Sequence, residues 1–137
     1  MLEFDRRDLL KTAAVAASAV AVGPAATAFA ASSASYNGVV YTKDQQGQWK
    51  GKAGSHAPEV MVAGGKVSVL TAHPMTAAHF IVRHTVVLAD GTVIGGKTFS
   101  ATDKAESTFE LPKDYKGKAC ATSFCNKHDF WVTEFTV

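Results

Sequence analysis

The chain has 137 residues, 47% of them hydrophobic and 19% charged, the balance of one folded domain with or without a leader and not of a disordered chain. Its formal charge of +2 is too small to argue for nucleic acid, and no basic run with interleaved aromatics marks such a partner. Two cysteines exclude a disulfide-dense scaffold.

Residues 1–30 read as a targeting segment. Asp5-Arg6-Arg7-Asp8-Leu9-Leu10-Lys11 sets an adjacent arginine pair before leucines, and residues 12–30 carry no charge and are mostly Ala and Val. Ala28-Phe29-Ala30 then offers small residues at the two positions a signal peptidase inspects. This order predicts a twin-arginine signal and a periplasmic protein that folds before export. The apolar run is long enough to span a bilayer. Gly23-Pro24 interrupts it, however, and no stop-transfer charge cluster follows, so cleavage and no stable membrane insertion are expected. Export in the folded state suits a metal protein: copper and zinc outcompete ferrous iron at nitrogen and sulfur sites, and cytoplasmic loading avoids them.

Residues 31–137 form the expected domain. Its first part, residues 31–58, is rich in Ser, Gly, Gln and Lys. Val39-Val40-Tyr41 suits a short strand, and Gln45 to Ser55 reads as irregular loop with Trp49 as its one core candidate. From Glu59 the pattern turns to strands. Glu59-Val60-Met61-Val62 ends at the turn signal Ala63-Gly64-Gly65, and Lys66-Val67-Ser68-Val69-Leu70 alternates with period two. Phe80 to Leu88 is long and β-branched, and Asp90-Gly91 predicts a tight hairpin into Thr92-Val93-Ile94. Ser107–Leu111, Lys118–Phe124 and Phe130–Val137 complete the series. About seven short strands without an amphipathic helix predict an all-β, immunoglobulin-like seven-stranded β-sandwich.

Chemistry concentrates in three segments with turn character. They hold His56-Ala57-Pro58, His73-Pro74-Met75 with His79, and Cys125-Asn126-Lys127-His128. A thiolate and an imidazole three positions apart can reach one metal ion from a single loop. His84 stands apart, inside a strand, and reads as a surface or satisfied core residue. Cys120 and Cys125 are five positions apart; on one extended strand they point to opposite faces about 16 Å apart, whereas a disulfide needs Cα atoms within about 7 Å. Cys120 therefore reads as a buried apolar residue. One thiolate with up to four imidazoles exceeds the four ligands of structural zinc and suits iron. Blue copper would need two His, one Cys and a weak axial Met; no Met closely follows Cys125, although Met75 follows His73.

The three segments resemble the superoxide reductases, the desulfoferrodoxin and neelaredoxin family. Its pattern is His-x-Pro, then His-Pro-Met/Asn with a second His six residues on, then Cys-Asn-x-His-x-x-Trp, here ending at Trp131. The pieces occur in order over residues 49–137. The resemblance implies an immunoglobulin-like β-sandwich. It further implies an Fe(II) centre with His56, His73, His79 and His128 as equatorial ligands, Cys125 as axial thiolate and a sixth position open to superoxide. It implies backbone N–H donation to the sulfur from Asn126 and Lys127, and a small external protein as electron donor. The rubredoxin-like N-terminal domain of some members is absent from this sequence. The family commonly carries Glu-Lys directly before His-x-Pro, where this chain has Gly54 and Ser55, and the His56–His73 interval is short for the family. Lys52 and Lys127 are the candidates for the missing positive charge. A cupredoxin-like electron carrier using Cys125, His128 and one upstream His is the alternative, with a non-catalytic metal-binding module as a third reading. A homo-oligomer is compatible with the sequence.

Overall fold

A computed structural model describes residues 36–137. The leader expected over residues 1–30 lies outside them, as do the first residues of the expected domain. Eight strands form two sheets: β1 Val40–Tyr41, β2 Glu59–Ala63, β3 Lys66–Leu70, β4 Ile81–Leu88, β5 Val93–Thr98, β6 Glu106–Glu110, β7 Lys118–Cys125 and β8 Asp129–Thr136. The larger sheet has the order β1-β8-β7-β4-β5 and the smaller β2-β3-β6. All neighbours are antiparallel except β1 and β8. This is the expected immunoglobulin-like sandwich, the eighth strand being the two-residue β1.

Alternation builds the core. In β3, Val67 and Val69 are buried while Lys66, Ser68 and Leu70 face out. They meet Val86 of β4 and Ala121 of β7 from the opposite sheet, flanked by Val60, Ile94, Phe109, Leu111 and Phe135. β5 runs four residues further than its apolar start suggests, because Gly95 and Gly96 continue it. A Cβ at Gly95 would strike the Phe109 ring, and one at Gly96 the Arg83 guanidinium. Two hairpins turn as expected. Gly64 and Gly65, at φ of 57° and 73°, close β2 onto β3, and Gly91 at φ 88° turns β4 into β5.

Two smaller clusters lie toward the end where β7 turns into β8. Ile81, Phe99, Ala105 and Cys125 pack with Met75, and Tyr41, Ala57 and Trp131 pack with Trp49 and Ala53. The stretch from Gln45 to Ser55 is not irregular throughout. It holds a 3-10 turn at Gly47–Trp49 and a one-turn helix, α1, at Ala53–His56. Each is too short to leave a periodic apolar pattern. The Gln46 side-chain oxygen ties the two together, accepting the N–H of Gly51 at 2.8 Å and of Ala53 at 3.3 Å.

Candidate metal centre

The three histidine and cysteine segments converge at this end of the sandwich. Cys125 is the last residue of β7 and His128 lies in the turn to β8. His56 ends α1, while His73 and His79 lie in the β3–β4 connection. Their donor atoms all lie within 4.8 Å of one another. Around the group, His56 Nε2 is 2.9 Å from His128 Nδ1, which is 3.0 Å from His79 Nε2, itself 3.1 Å from His73 Nε2. The Cys125 sulfur is 3.2, 3.7 and 3.9 Å from the facing nitrogens of His79, His128 and His73. His84, by contrast, sits in the core away from this group, as the sequence suggested, and both cysteines are free thiols on one unbroken strand.

Each donor is aimed by neighbours. The His56 Nδ1–H is shared between the Lys52 carbonyl at 3.1 Å and the Ser55 hydroxyl at 2.8 Å, which turns Nε2 toward the other rings. Asn126 fastens the His79 segment to the cysteine turn. Its side-chain oxygen accepts the Phe80 N–H at 3.1 Å, its side-chain nitrogen donates to the Ala78 carbonyl at 3.1 Å, and its backbone N–H donates to the Phe80 carbonyl at 3.2 Å. That last bond corrects one expectation: of the two N–H groups after Cys125, only that of Lys127 reaches the sulfur, at 3.5 Å. The Asn126 N–H is spent on joining two loops. The Trp131 indole N–H donates to the His128 carbonyl at 2.9 Å, fixing the turn from the core side.

Trp49 belongs to the wall of this site and not simply to the core. Its ring meets His128 edge to face at 4.6 Å, and its indole N–H donates to the Asp129 carboxylate at 2.9 Å. Asp129 adopts φ 63°, a left-handed conformation that Asp tolerates better than most side chains. A lone Trp in a loop and an Asp beside a His carry no sequence signal for this arrangement; it exists only because chain positions 49 and 129 meet.

The electrostatics favour free lone pairs. Burial, then the charge of the other histidines, pushes His56 down to about 4. Burial and His79 lower His73. His79 and His128 are also lowered by burial, and both feel Lys52 and Lys127. The imidazoles are therefore neutral at neutral pH, the form that binds metal. Both lysines are exposed and close enough to act on His79 and His128 through their charge. Gly54 leaves open space where a side chain would project.

The donor set fits a six-coordinate first-row ion. Imidazole nitrogens at roughly 2.1 Å from a metal stand about 3.0 Å apart when bound at right angles, the spacing of three successive nitrogen pairs here. One sulfur and four nitrogens exceed a tetrahedral set. The Met75 sulfur accepts the Ile81 N–H at 3.4 Å and packs in the core, so the soft axial ligand of a blue-copper site is otherwise engaged.

The desulfoferrodoxin family model matches residues 48–134. The superoxide reductase (neelaredoxin) from Ignicoccus hospitalis is 25% identical with a TM-score of 0.62, over 75% of this chain and 97% of that one. A superoxide reductase solved in the oxidised state is 26% identical, with a TM-score of 0.55 over 72% and 96% of the two chains. The superoxide reductase from Treponema pallidum is 30% identical with a TM-score of 0.50, over 58% of this chain and 66% of that one. No curated protein sequence gives a significant match.

Proposed function

The chain belongs to the desulfoferrodoxin family, and from that premise we infer that it is a superoxide reductase working at a mononuclear non-haem iron centre. Superoxide gains one electron and two protons and leaves as hydrogen peroxide. Ferrous iron, when bound there, would supply that electron, and an external donor would restore it. The observation that carries this reading is the convergence of four imidazoles and one thiolate within 4.8 Å.

In this reading His56, His73, His79, His128 and Cys125 hold the iron. The chain contributes more than ligands. Burial of His56 and Cys125 keeps water from that side of the donor set. Lys127 steadies the thiolate with its backbone N–H, which tempers the sulfur's electron donation. Lys52 and Lys127 present positive charge beside His79 and His128 and draw in a small anion. Lys52 also aims His56 through its carbonyl, so its side chain and backbone serve different ends.

The reading extends to location. Residues 1–30 direct export by the twin-arginine route, and the donor is a small carrier in the same compartment. Cell fractionation of the tagged chain, with Arg6 and Arg7 both replaced by Lys, tests the route: periplasmic recovery unaffected by the double change would sink it. Iron content of the protein, followed by pulse radiolysis of its reduced form, tests the activity. About one iron per chain with rapid superoxide-dependent oxidation is expected. Copper in its place, or iron inert to superoxide, would overturn the assignment.

A further inference from the structure

A buried chain of hydrogen bonds crosses the sandwich beside the metal centre. Its members are Ser107 of β6, His84 of β4, Ser123 of β7 and Thr71, the residue after β3. All four are buried. The Ser107 hydroxyl lies 2.9 Å from His84 Nδ1, the Thr71 hydroxyl lies 2.9 Å from His84 Nε2, and Thr71 donates to the Ser123 hydroxyl at 2.9 Å. That last bond orders the rest. A hydroxyl has one proton to give, and Thr71 gives its own to Ser123. Thr71 therefore accepts the Nε2–H of His84, and the neutral ring accepts the Ser107 proton at Nδ1. The Thr71 hydroxyl is fixed from two sides.

The two ends of Thr71 lead to two different members of the donor set. Its carbonyl accepts the His73 N–H at 2.8 Å, and its own N–H donates to the Ala105 carbonyl at 3.0 Å. Its hydroxyl reaches Ser123, which precedes Cys125 by two positions on the same inward face of β7. His73 has special need of such a hold. Its Nδ1 has no hydrogen-bond partner, whereas the Lys52 carbonyl steers His56 at the same atom, so the His73 ring is placed by its backbone. Its Nε2 lies 3.9 Å from the Cys125 sulfur, the widest of the three sulfur–nitrogen spacings. Burying hydroxyls costs stability unless each is bonded, and Val would fill the place of Thr71 without that cost. What the hydroxyl adds over Val is direction.

We propose that Thr71 is a positioning residue for the metal centre, a clasp between the two sheets that sets the His73 loop against Cys125 at the end of β7. A donor set works only when held within about 0.5 Å of its productive geometry, and the clasp supplies that constraint where the His73 ring has none of its own. The proposal rests on the metal-centre reading above and is independent of what the bound metal does.

Cobalt(II) is the probe, because it accepts nitrogen and sulfur donors and its bond to a thiolate gives a charge-transfer absorption. Thr71→Val keeps the shape and removes the hydroxyl; Thr71→Ser keeps the hydroxyl. In competition with a chelator, Thr71→Val should bind cobalt about 10-fold more weakly than the parent, as for other outer partners of a metal, and its charge-transfer band should shift. Thr71→Ser should restore both. Ser123→Ala removes the other end of the clasp and should act in the same direction, which keeps the test open if Thr71→Val does not fold. Val67→Ala, a core truncation toward the other end of β3, controls for lost stability: its denaturant midpoint falls while affinity and band stay parental. Parental affinity and band in folded Thr71→Val overturn the proposal. So does Thr71→Ser behaving as Thr71→Val does, and so does Val67→Ala moving the band as far. Failure of the superoxide reading shows separately, in pulse radiolysis of the iron-loaded parent, and the cobalt results judge the clasp whatever that gives.

Discussion

Two groups of buried histidines solve the same problem in opposite ways. His84 is fully buried, and both ring nitrogens have hydroxyl partners at 2.9 Å, Thr71 on one side and Ser107 of the facing sheet on the other. Thr71 in turn donates to Ser123 at 2.9 Å. At the metal centre the ring nitrogens face one another and a thiol, and buried His73 Nδ1 has no hydrogen-bond partner. Neutral imidazole has one donor and one acceptor; where the proton is held outward, as the Lys52 carbonyl holds it on His56 Nδ1, the inward nitrogen presents a lone pair. A hydroxyl network completes a core; inward lone pairs call for a cation. Burial alone does not separate structural from functional histidine, but the partner of each nitrogen does.

The widest break in this comparison comes from removing a ligand. Cys125→Ser and His56→Ala should each lower superoxide reduction by about 100-fold or more, since losing a group that would hold the iron exceeds the 10–100-fold typical of its outer partners. Iron per chain and pulse radiolysis report it. His84→Leu, in contrast, should leave iron per chain unchanged.

In the metal-free protein acid should act on both clusters, since His56 is pushed down to about 4 as well, and His84 is the part of that response that metal binding does not cover. Burial, then the charge of Lys97, pushes His84 down to about 4. The unfolded chain, with an ordinary His near 6.5, binds that proton first, so stability is full above pH 6.5 and falls as pH drops toward 4. The loss is on the order of 3 kcal/mol. Denaturant melts of the metal-free protein between pH 7 and 4 should show it, and His84→Leu should make that slope shallower, leaving the part due to His56. An unchanged slope in the variant would assign the acid sensitivity elsewhere.

Outer support gives a smaller effect. Asp129→Ala frees the Trp49 indole and forces Ala into a left-handed conformation, and metal affinity should fall about 10-fold. Competition with a chelator measures this, and Asp129→Asn, which keeps an acceptor and tolerates that conformation, should recover most of it. The smallest change belongs to surface charge. Lys52→Ala and Lys127→Ala should each slow the superoxide reaction a few-fold and weaken its dependence on ionic strength. Rates insensitive to both changes would remove these lysines from the mechanism.

Much of this was legible beforehand because its signals are local. Val67 and Val69 alternate with polar neighbours, Gly64-Gly65 and Asp90-Gly91 mark turns, and the His and Cys spacings sit within single loops. The supports were not legible. Ser55 on His56, Asn126 bridging to Ala78 and Phe80, and Trp49 on Asp129 each depend on which loops meet, and the one-turn helix bearing His56 is too short for a period to appear.

By itself the sequence determined the strand periods, the turn positions and the five donor side chains, since each follows from spacing and residue chemistry along a few consecutive positions. Only the tertiary structure decided which nitrogen of each ring faces inward and which backbone N–H reaches the sulfur. Those choices are settled by contacts between segments up to 80 residues apart, and hydrogen-bond geometry within a few tenths of an ångström is not written in local order.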